Sequence, residues 1–276
     1  MKGLPAWLRR PLPPAYRAMQ RKMKLPTVCR DALCPNRFEC FSKKRAAFLA
    51  LGHLCTRSCR FCNIAHGKTP LPPDETEIAS FADAIIELDL AHAVITMVSR
   101  DDLPDGGANH MAAIIREIKR RSEATVEVLV SDFKGQKDLI QIVTDAAPDI
   151  FNHNIETVPS LTAKLRDKAN YNRSLGVLSF AKSQKMQLKS GLMVGLGETK
   201  KEVFTTLADL KNIGCDIITI GQYLQPHKGK YPVQEFIHPD IFKEFAAYGE
   251  SLGIPFVYSG PLIRSSYNSP LYISET

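Results

Sequence analysis

Three cysteines stand in the run Cys55-Thr56-Arg57-Ser58-Cys59-Arg60-Phe61-Cys62. The spacing C-x3-C-x2-C puts three thiols on one short loop, and three thiolates can hold three irons of a four-iron cube. No fourth cysteine lies nearby, so one iron would keep an open position, a place for chemistry. A second triad, Cys29, Cys34 and Cys40, lies upstream at spacing C-x4-C-x5-C and also lacks a fourth cysteine. The seventh, Cys215, is far from both and reads as a small packing residue. Zinc is the competing reading: it takes four ligands, usually from paired cysteines, and His53 or His66 would have to complete the Cys55 group. Clustered thiols without a secretory signal point to metal in a reducing compartment rather than to disulfides.

Such loops need a scaffold. The chain has 276 residues, 44% of them hydrophobic, which is enough for a large core. Strand-like apolar runs over 47–52, 93–98, 126–130, 150–153, 187–194 and 216–220 alternate with helix-period segments. The helices are expected over 75–88, 110–120, 137–145, 160–166, 172–184, 201–213 and 239–251. Asp74 and Thr199 supply start signals, the latter with Glu202 at capping-box spacing. The strands read as apolar on both faces, as parallel strands covered by helices do. This alternation predicts an α/β fold, a partial (β/α)6 TIM-like barrel, with a doubly wound open sheet as the alternative. The Cys55 loop follows the first strand directly, at the C-terminal strand ends where βα folds carry chemistry.

The expected organisation is an N-terminal extension over 1–43, a barrel over 44–258 and a C-terminal segment over 259–276. The extension carries the upstream cysteines and reads as largely irregular, with a short helix near 16–24. Net charge is +7, and Met1 to Arg30 holds eight Lys or Arg and no acidic residue. That basic start is open to four readings: a solvated extension, a transit peptide, a nucleic-acid patch or a surface for an acidic protein. Against the transit reading, it has no serine and carries Pro5, Pro11, Pro13 and Pro14. Against nucleic acid, basic residues are not interleaved with aromatics, and Trp7 is the one tryptophan. No apolar run is long enough to span a bilayer and the start lacks a secretory h-region, so a cytoplasmic protein without a membrane or nucleic-acid partner is expected.

The two triads come with further motifs in a fixed order. These are Cys34-Pro35-Asn36, Arg100-Asp101-Asp102-Leu103 with Asp105-Gly106-Gly107-Ala108, and Phe151-Asn152-His153-Asn154 with Glu156-Thr157. Then follow Lys189-Ser190-Gly191-Leu192-Met193-Val194-Gly195-Leu196-Gly197-Glu198-Thr199, Gly221-Gln222-Tyr223-Leu224-Gln225-Pro226, and Ser259-Gly260-Pro261 running into Arg264-Ser265-Ser266-Tyr267. The Cys55 loop resembles that of the radical S-adenosylmethionine enzymes, and the whole set is similar to one family among them, lipoyl synthase. The chain departs from that pattern at Met97 and Ser99, and Lys228-Gly229-Lys230 replaces a commoner histidine-rich run.

The resemblance implies a sulfurtransferase that inserts two sulfur atoms at C6 and C8 of an octanoyl group bound to a lysine of a lipoyl carrier domain. It implies two [4Fe-4S] clusters and S-adenosyl-L-methionine as cofactors. The cluster on Cys55, Cys59 and Cys62 would bind and reduce S-adenosylmethionine. The cluster on Cys29, Cys34 and Cys40 would be the sacrificial sulfur source, with Ser266 as fourth ligand and Ser265 as the alternative. Phe61, Asn154, Glu156 and Gly195 are the expected S-adenosylmethionine contacts, and Arg264 would hydrogen-bond the sulfur-donating cube. Implied partners are octanoylated 2-oxoacid dehydrogenase E2 or glycine cleavage H protein, reduced ferredoxin or flavodoxin, and an iron–sulfur carrier. The chemistry fits the substrate: methylene carbons carry no acidic proton and no leaving group, so acid–base and nucleophilic catalysis have nothing to act on. Another two-cluster sulfur inserter, such as a tRNA methylthiotransferase or biotin synthase, and a basic zinc-stabilised nucleic-acid module are the competing functions.

Overall fold

The computed structural model describes residues 4–9 and 27–266. Seven parallel strands form one sheet: β1 Ala47–Ala50, β2 His92–Met97, β3 Thr125–Leu129, β4 Ile150–Asn152, β5 Gln187–Val194, β6 Ile217–Gln222 and β7 Phe256–Gly260. Nine α-helices are described: α1 Val28–Asp31, α2 Arg37–Ser42, α3 Thr76–Glu87, α4 Ala108–Arg121, α5 Lys137–Thr144, α6 Pro159–Leu165, α7 Tyr171–Ser183, α8 Lys200–Asn212 and α9 Pro239–Ser251.

The strands are hydrogen-bonded in sequence order, β1 to β7. A doubly wound sheet reverses its strand order at a switch point; this one never does, so its right-handed crossovers place the connecting helices α3 to α9 on the same side. The sheet therefore curls like an open TIM-type barrel. The six expected strands are present, and Phe256–Gly260 adds a seventh that the motif-rich ending had concealed.

Helix starts follow local chemistry. Thr199 and Glu202 close a reciprocal capping box at α8. At α3 the carboxylate of Asp74 accepts from the Thr76 N–H at 2.9 Å. Outside the sheet, Phe48, Ile95, Val128, Phe151, Leu188 and Ile218 meet Phe81, Met111, Ile140, Leu178, Leu207 and Phe242 in one continuous core.

Two expectations need correction. The upstream cysteines do not lie on irregular chain: Cys29 is in α1 and Cys40 in α2, with Cys34 in the turn between them. These helices have four and six residues, too short to show a period in sequence. The helix expected near 16–24 lies outside the described residues. Nor are the strands apolar on both faces. Their inner side carries His92, Thr96, Glu127, Asn152, Lys189 and Thr219, all buried. Lys189 Nζ sits 2.9 and 2.8 Å from the two Glu127 carboxylate oxygens, and Asn152 Nδ2 donates to Glu127 Oε1 at 2.8 Å. Burial works against the Glu127 charge, but Lys189 and then His92 override it and hold its pKa at about 2. The barrel interior is thus an ion-paired polar core, affordable only because each charge has partners.

Candidate functional site

Beyond β1 the chain enters the loop that bears Cys55, Cys59 and Cys62. It is anchored from several sides. Arg57, buried within the loop, makes two 2.8 Å hydrogen bonds to Asp101 and one of 2.7 Å to Asp132. Arg173 closes on the other Asp132 oxygen at 2.8 Å. Burial opposes the Asp132 carboxylate, yet the Arg57 bonds hold it at about 2. The Ser58 N–H donates to Asp167, Arg60 N–H to the Leu165 carbonyl, and Thr56 Oγ1 to the Ser99 carbonyl. Sequence spacing did not reveal Arg57 as a clamp, because its partners come from the loops after β2 and β3.

The upstream triad is held differently. Asn36, 1% exposed, donates from Nδ2 to the Leu262 carbonyl at 2.5 Å. Asn63, just past Cys62, donates to the Asp31 carbonyl at 2.6 Å, and His53 bonds the Asp31 carboxylate at 2.9 Å. Thr27 forms an antiparallel bridge with Phe48 of β1. The C-terminal segment reaches this triad by crossing the inside of β6 at Gly221, where a β-carbon would lie 2.1 Å from the Ile263 carbonyl oxygen. Arg264 is thereby brought beside Cys34, whose thiolate would stabilise its charge against burial.

A cavity of about 950 Å3 opens at the strand ends. Its walls include Cys34 from the upstream triad and Cys62 from the loop triad, with Phe61, Glu156, Met193 and Arg264 between or beside them. A much smaller space, about 20 Å3, is lined by Cys29, Cys40 and Ser266 together with His92. The structure thus places Ser266 against two upstream cysteines; Ser265 does not line that space. Within each triad the thiols are close enough for one thiolate to raise its neighbours' pKa. Burial, the larger effect, pushes Cys29, Cys40 and Cys62 to about 12. Bound iron reverses that balance, because a metal-coordinated thiol gives up its proton.

Among the described residues no three Cys, His, Asp or Glu side chains are gathered as for a single metal ion. A cube spreads its thiolates over separate irons and does not ask for that gathering. His53 and His66, the candidate zinc completers, are exposed; His53 is paired with Asp31 instead. Cys215 is buried, its Sγ 3.4 Å from the Ile217 carbonyl.

Glu156 sits four residues past β4 with φ of +67°, in the left-handed region, held by backbone bonds to Gly191 and Met193. Burial pushes its carboxyl up; Arg166 and the Asn154 amide oppose the shift. Asn154 Nδ2 donates to Glu156 at 3.2 Å, while the Asn154 Oδ1 is buried without a partner, an acceptor left open. Gly195, also expected at the cofactor, does not line the cavity. Its φ is +92°, and a β-carbon there would meet the Gln222 amide at 2.2 Å and the Glu235 carbonyl at 2.4 Å. It admits the 222–236 strap that forms one cavity wall. His153 proves to be support: its ring bonds the Val130 carbonyl and Ser174 Oγ, each at 2.9 Å, and Ser174 accepts from Arg166 at 3.0 Å. Burial lowers its pKa to about 4, so the ring is neutral.

Comparison with known proteins agrees with this geometry. Residues 49–221 match the model of the radical SAM superfamily. The lipoyl synthase of Protochlamydia amoebophila (strain UWE25) is 50% identical over 279 residues, covering 98% of this chain and 86% of that one. The lipoyl synthase of Caldicellulosiruptor saccharolyticus is 52% identical over 250 residues, covering 90% and 87%. Among solved structures, the FeFe-hydrogenase maturase HydG from Carboxydothermus hydrogenoformans superposes with a TM-score of 0.62 at 13% identity, over 88% of this chain and 63% of that one. Methylornithine synthase does so with a TM-score of 0.57 at 16% identity, over 82% and 76%. These two likenesses carry the fold alone. The sequence relatives carry more: sharing half of their residues along nearly the full length, the chain belongs to the lipoyl synthase family of radical S-adenosylmethionine enzymes.

Proposed function

We propose that the chain inserts two sulfur atoms at C6 and C8 of an octanoyl group carried on a lysine of a lipoyl domain. The observation that carries this reading is the shared cavity, which touches Cys34 on one side and Cys62 on the other. Its volume is at the upper end for single-ligand sites, which suits a space shared by a cofactor and an acyl-lysine arm. Leu33, Phe61, Met193, Val233 and Phe236 give its walls the apolar character a methylene chain requires.

The chain's residues divide the work. Cys55, Cys59 and Cys62 hold one four-iron cube on the clamped loop, and Cys29, Cys34, Cys40 and Ser266 hold the other. When bound, these groups supply a one-electron reduction of S-adenosylmethionine and the sulfide to be transferred. Ser266 would offer the upstream group an oxygen ligand in place of a fourth thiolate, a harder donor than the thiolates that suit iron–sulfur clusters. Phe61 packs beside the cofactor. Glu156, on the cavity wall, binds its polar end, and Asn154, which does not line the cavity, supports it through the amide bond to Glu156 and its unpartnered acceptor. Gly195 acts indirectly, by admitting the strap. Arg264 places a cation beside Cys34. The 1–43 extension and the 259–276 segment serve as the two halves of the sulfur-donor site around the 44–258 barrel.

The substrate is an octanoylated E2 or H-protein domain, the reductant is reduced ferredoxin or flavodoxin, and an iron–sulfur carrier rebuilds the spent cube. The protein works in the cytoplasm; among the described residues no helix is long and apolar enough to cross a membrane. The test is anaerobic reconstitution followed by mass spectrometry of an octanoyl-lysine peptide. About eight irons with labile sulfide, and a dithiolated product, are expected. Stoichiometric zinc without sulfide overturns the reading.

A further inference from the structure

The outer face of the Cys55–Cys62 loop carries charge that neither the cavity nor the clamp uses. Ser58 and Arg60, the two neighbours of Cys59, are both exposed. Around them stand Lys134, Lys164 and Lys168, also exposed. Their places are fixed by contact. Lys164 Nζ bonds the Tyr231 hydroxyl at 2.9 Å, and the Arg60 guanidinium lies 5.3 Å from the same ring's centre. Lys134 Nζ bonds the Asp101 carbonyl at 3.1 Å, and Lys168 follows Asp167, whose carboxylate takes the Ser58 N–H at 2.9 Å. Those contacts of Arg60, Lys134 and Lys164 are to neutral groups, so their charges stay uncompensated by them. Of the carboxylates nearby, Asp101 and Asp132 are already engaged by Arg57, and Asp167, held by the Ser58 N–H and hydroxyl, offsets one of the four cations and leaves the patch positive. None of these four cations lines the cavity.

We propose that Arg60, Lys134, Lys164 and Lys168 form the landing surface for an acidic one-electron carrier protein, which delivers its electron to the loop cluster by way of Cys59. This rests on the enzymatic reading above. Cys62 faces the cavity, whereas Cys59 lies between exposed neighbours and accepts a hydrogen bond at 3.4 Å from the backbone N–H of Asp167. A contact route from solvent to a cluster thiolate, separate from the cavity, therefore opens among these cations. Each encounter oxidises the carrier by one electron and reduces the iron–sulfur group on Cys55, Cys59 and Cys62 by one. A ring of like charge of this kind raises encounter rates with an opposite partner and fades with salt. The acyl carrier reaches the cavity instead, on the other side of the loop.

The test uses reconstituted full-length protein and its Lys164→Glu/Lys168→Glu double variant, mixed anaerobically with flavodoxin hydroquinone while cluster absorbance is followed. The second-order reduction rate should fall about tenfold or more at low salt, and its salt dependence should flatten. Reduction by methyl viologen radical, a small cation with no need of the ring, should stay within about twofold. Lys164→Gln/Lys168→Gln should lie between, and it carries the test if charge reversal costs iron. Equal flavodoxin rates in all three proteins overturn the proposal. So does a raised KM for the octanoylated carrier with unaltered reduction, which reassigns the ring to the acyl carrier. Wild-type protein that is reduced by viologen but never thiolates its substrate would instead sink the enzymatic reading and leave the docking surface standing.

Discussion

The two cysteine triads share a composition and differ in what holds them. Cys55, Cys59 and Cys62 sit on a loop tied into the barrel by a buried arginine, two aspartates and a series of backbone bonds. Cys29, Cys34 and Cys40 sit on and between two helices of four and six residues, which are joined to β1, to the loop beyond Cys62 and, through Asn36, to Leu262, with Phe41 packed in the core. A rigid scaffold suits a centre that must return unchanged after each turnover. One assembled from separate segments of the chain suits a centre that is taken apart and refilled. The difference in anchoring thus parallels the difference in proposed role.

The sharpest way to break that parallel is to remove one cysteine at a time. Cys59→Ala should lower iron from about eight to about four per chain and abolish cleavage of S-adenosylmethionine. Cys34→Ala should lose a similar amount of iron, yet keep forming 5′-deoxyadenosine. If both variants lose cleavage equally, the triads are not functionally distinct.

Next in size is the clamp. Arg57→Ala leaves Asp132 buried with one partner fewer, which should cost about 3–5 kcal/mol of stability by chemical denaturation. Iron should be lost first from the loop triad. Arg57→Lys keeps the charge but not the forked geometry and should fall between. Iron lost first from the upstream triad would reverse the assignment of rigidity.

Acid provides a third probe. His153 is neutral in the fold with a pKa of about 4, below its ordinary 6.5, so the unfolded chain binds the extra proton between those values. Stability should therefore decline as pH falls from about 6.5 toward 4. Asp132 and Glu127, both held at about 2, add a steeper loss as pH falls through the carboxylate range. Glu156, raised by burial, works in the opposite sense. Melting temperatures measured across this range should show the shallow phase disappear in His153→Gln.

The smallest effect concerns the tether. Asn36→Ala removes one buried hydrogen bond, worth about 1 kcal/mol. Global stability should barely move, but a chelator should strip the upstream iron faster while the loop iron keeps its wild-type rate. Equal stripping of both would mean that Asn36 does not secure its own triad.

Much of this molecule was legible in its residues. Strand and helix periodicity located six strands and seven helices because amphipathic patterning is local, as is the capping box at Thr199. The polar barrel interior was not legible. Glu127 and Lys189 are 62 residues apart, and each looks out of place in an apolar strand until the sheet closes them together. Arg57 was hidden for the same reason, its partners being 44 and 75 residues away. Ser265 and Ser266 are indistinguishable by spacing, and only the fold sets Ser266 against Cys29 and Cys40. Gly195 was legible as a turn but not in its use, since the strap that needs it comes from beyond β6.

The bond from Asn36 to the Leu262 carbonyl has a consequence for biosynthesis. On the ribosome, the loop cysteines and the first strands that carry them emerge early. The pocket that Ser266 completes stays unfinished until β7 and the residues after it have been translated. Iron loading should therefore occur in two stages, at the loop once the chain through Arg173 that clamps it has emerged, and at the Ser266 pocket only after β7.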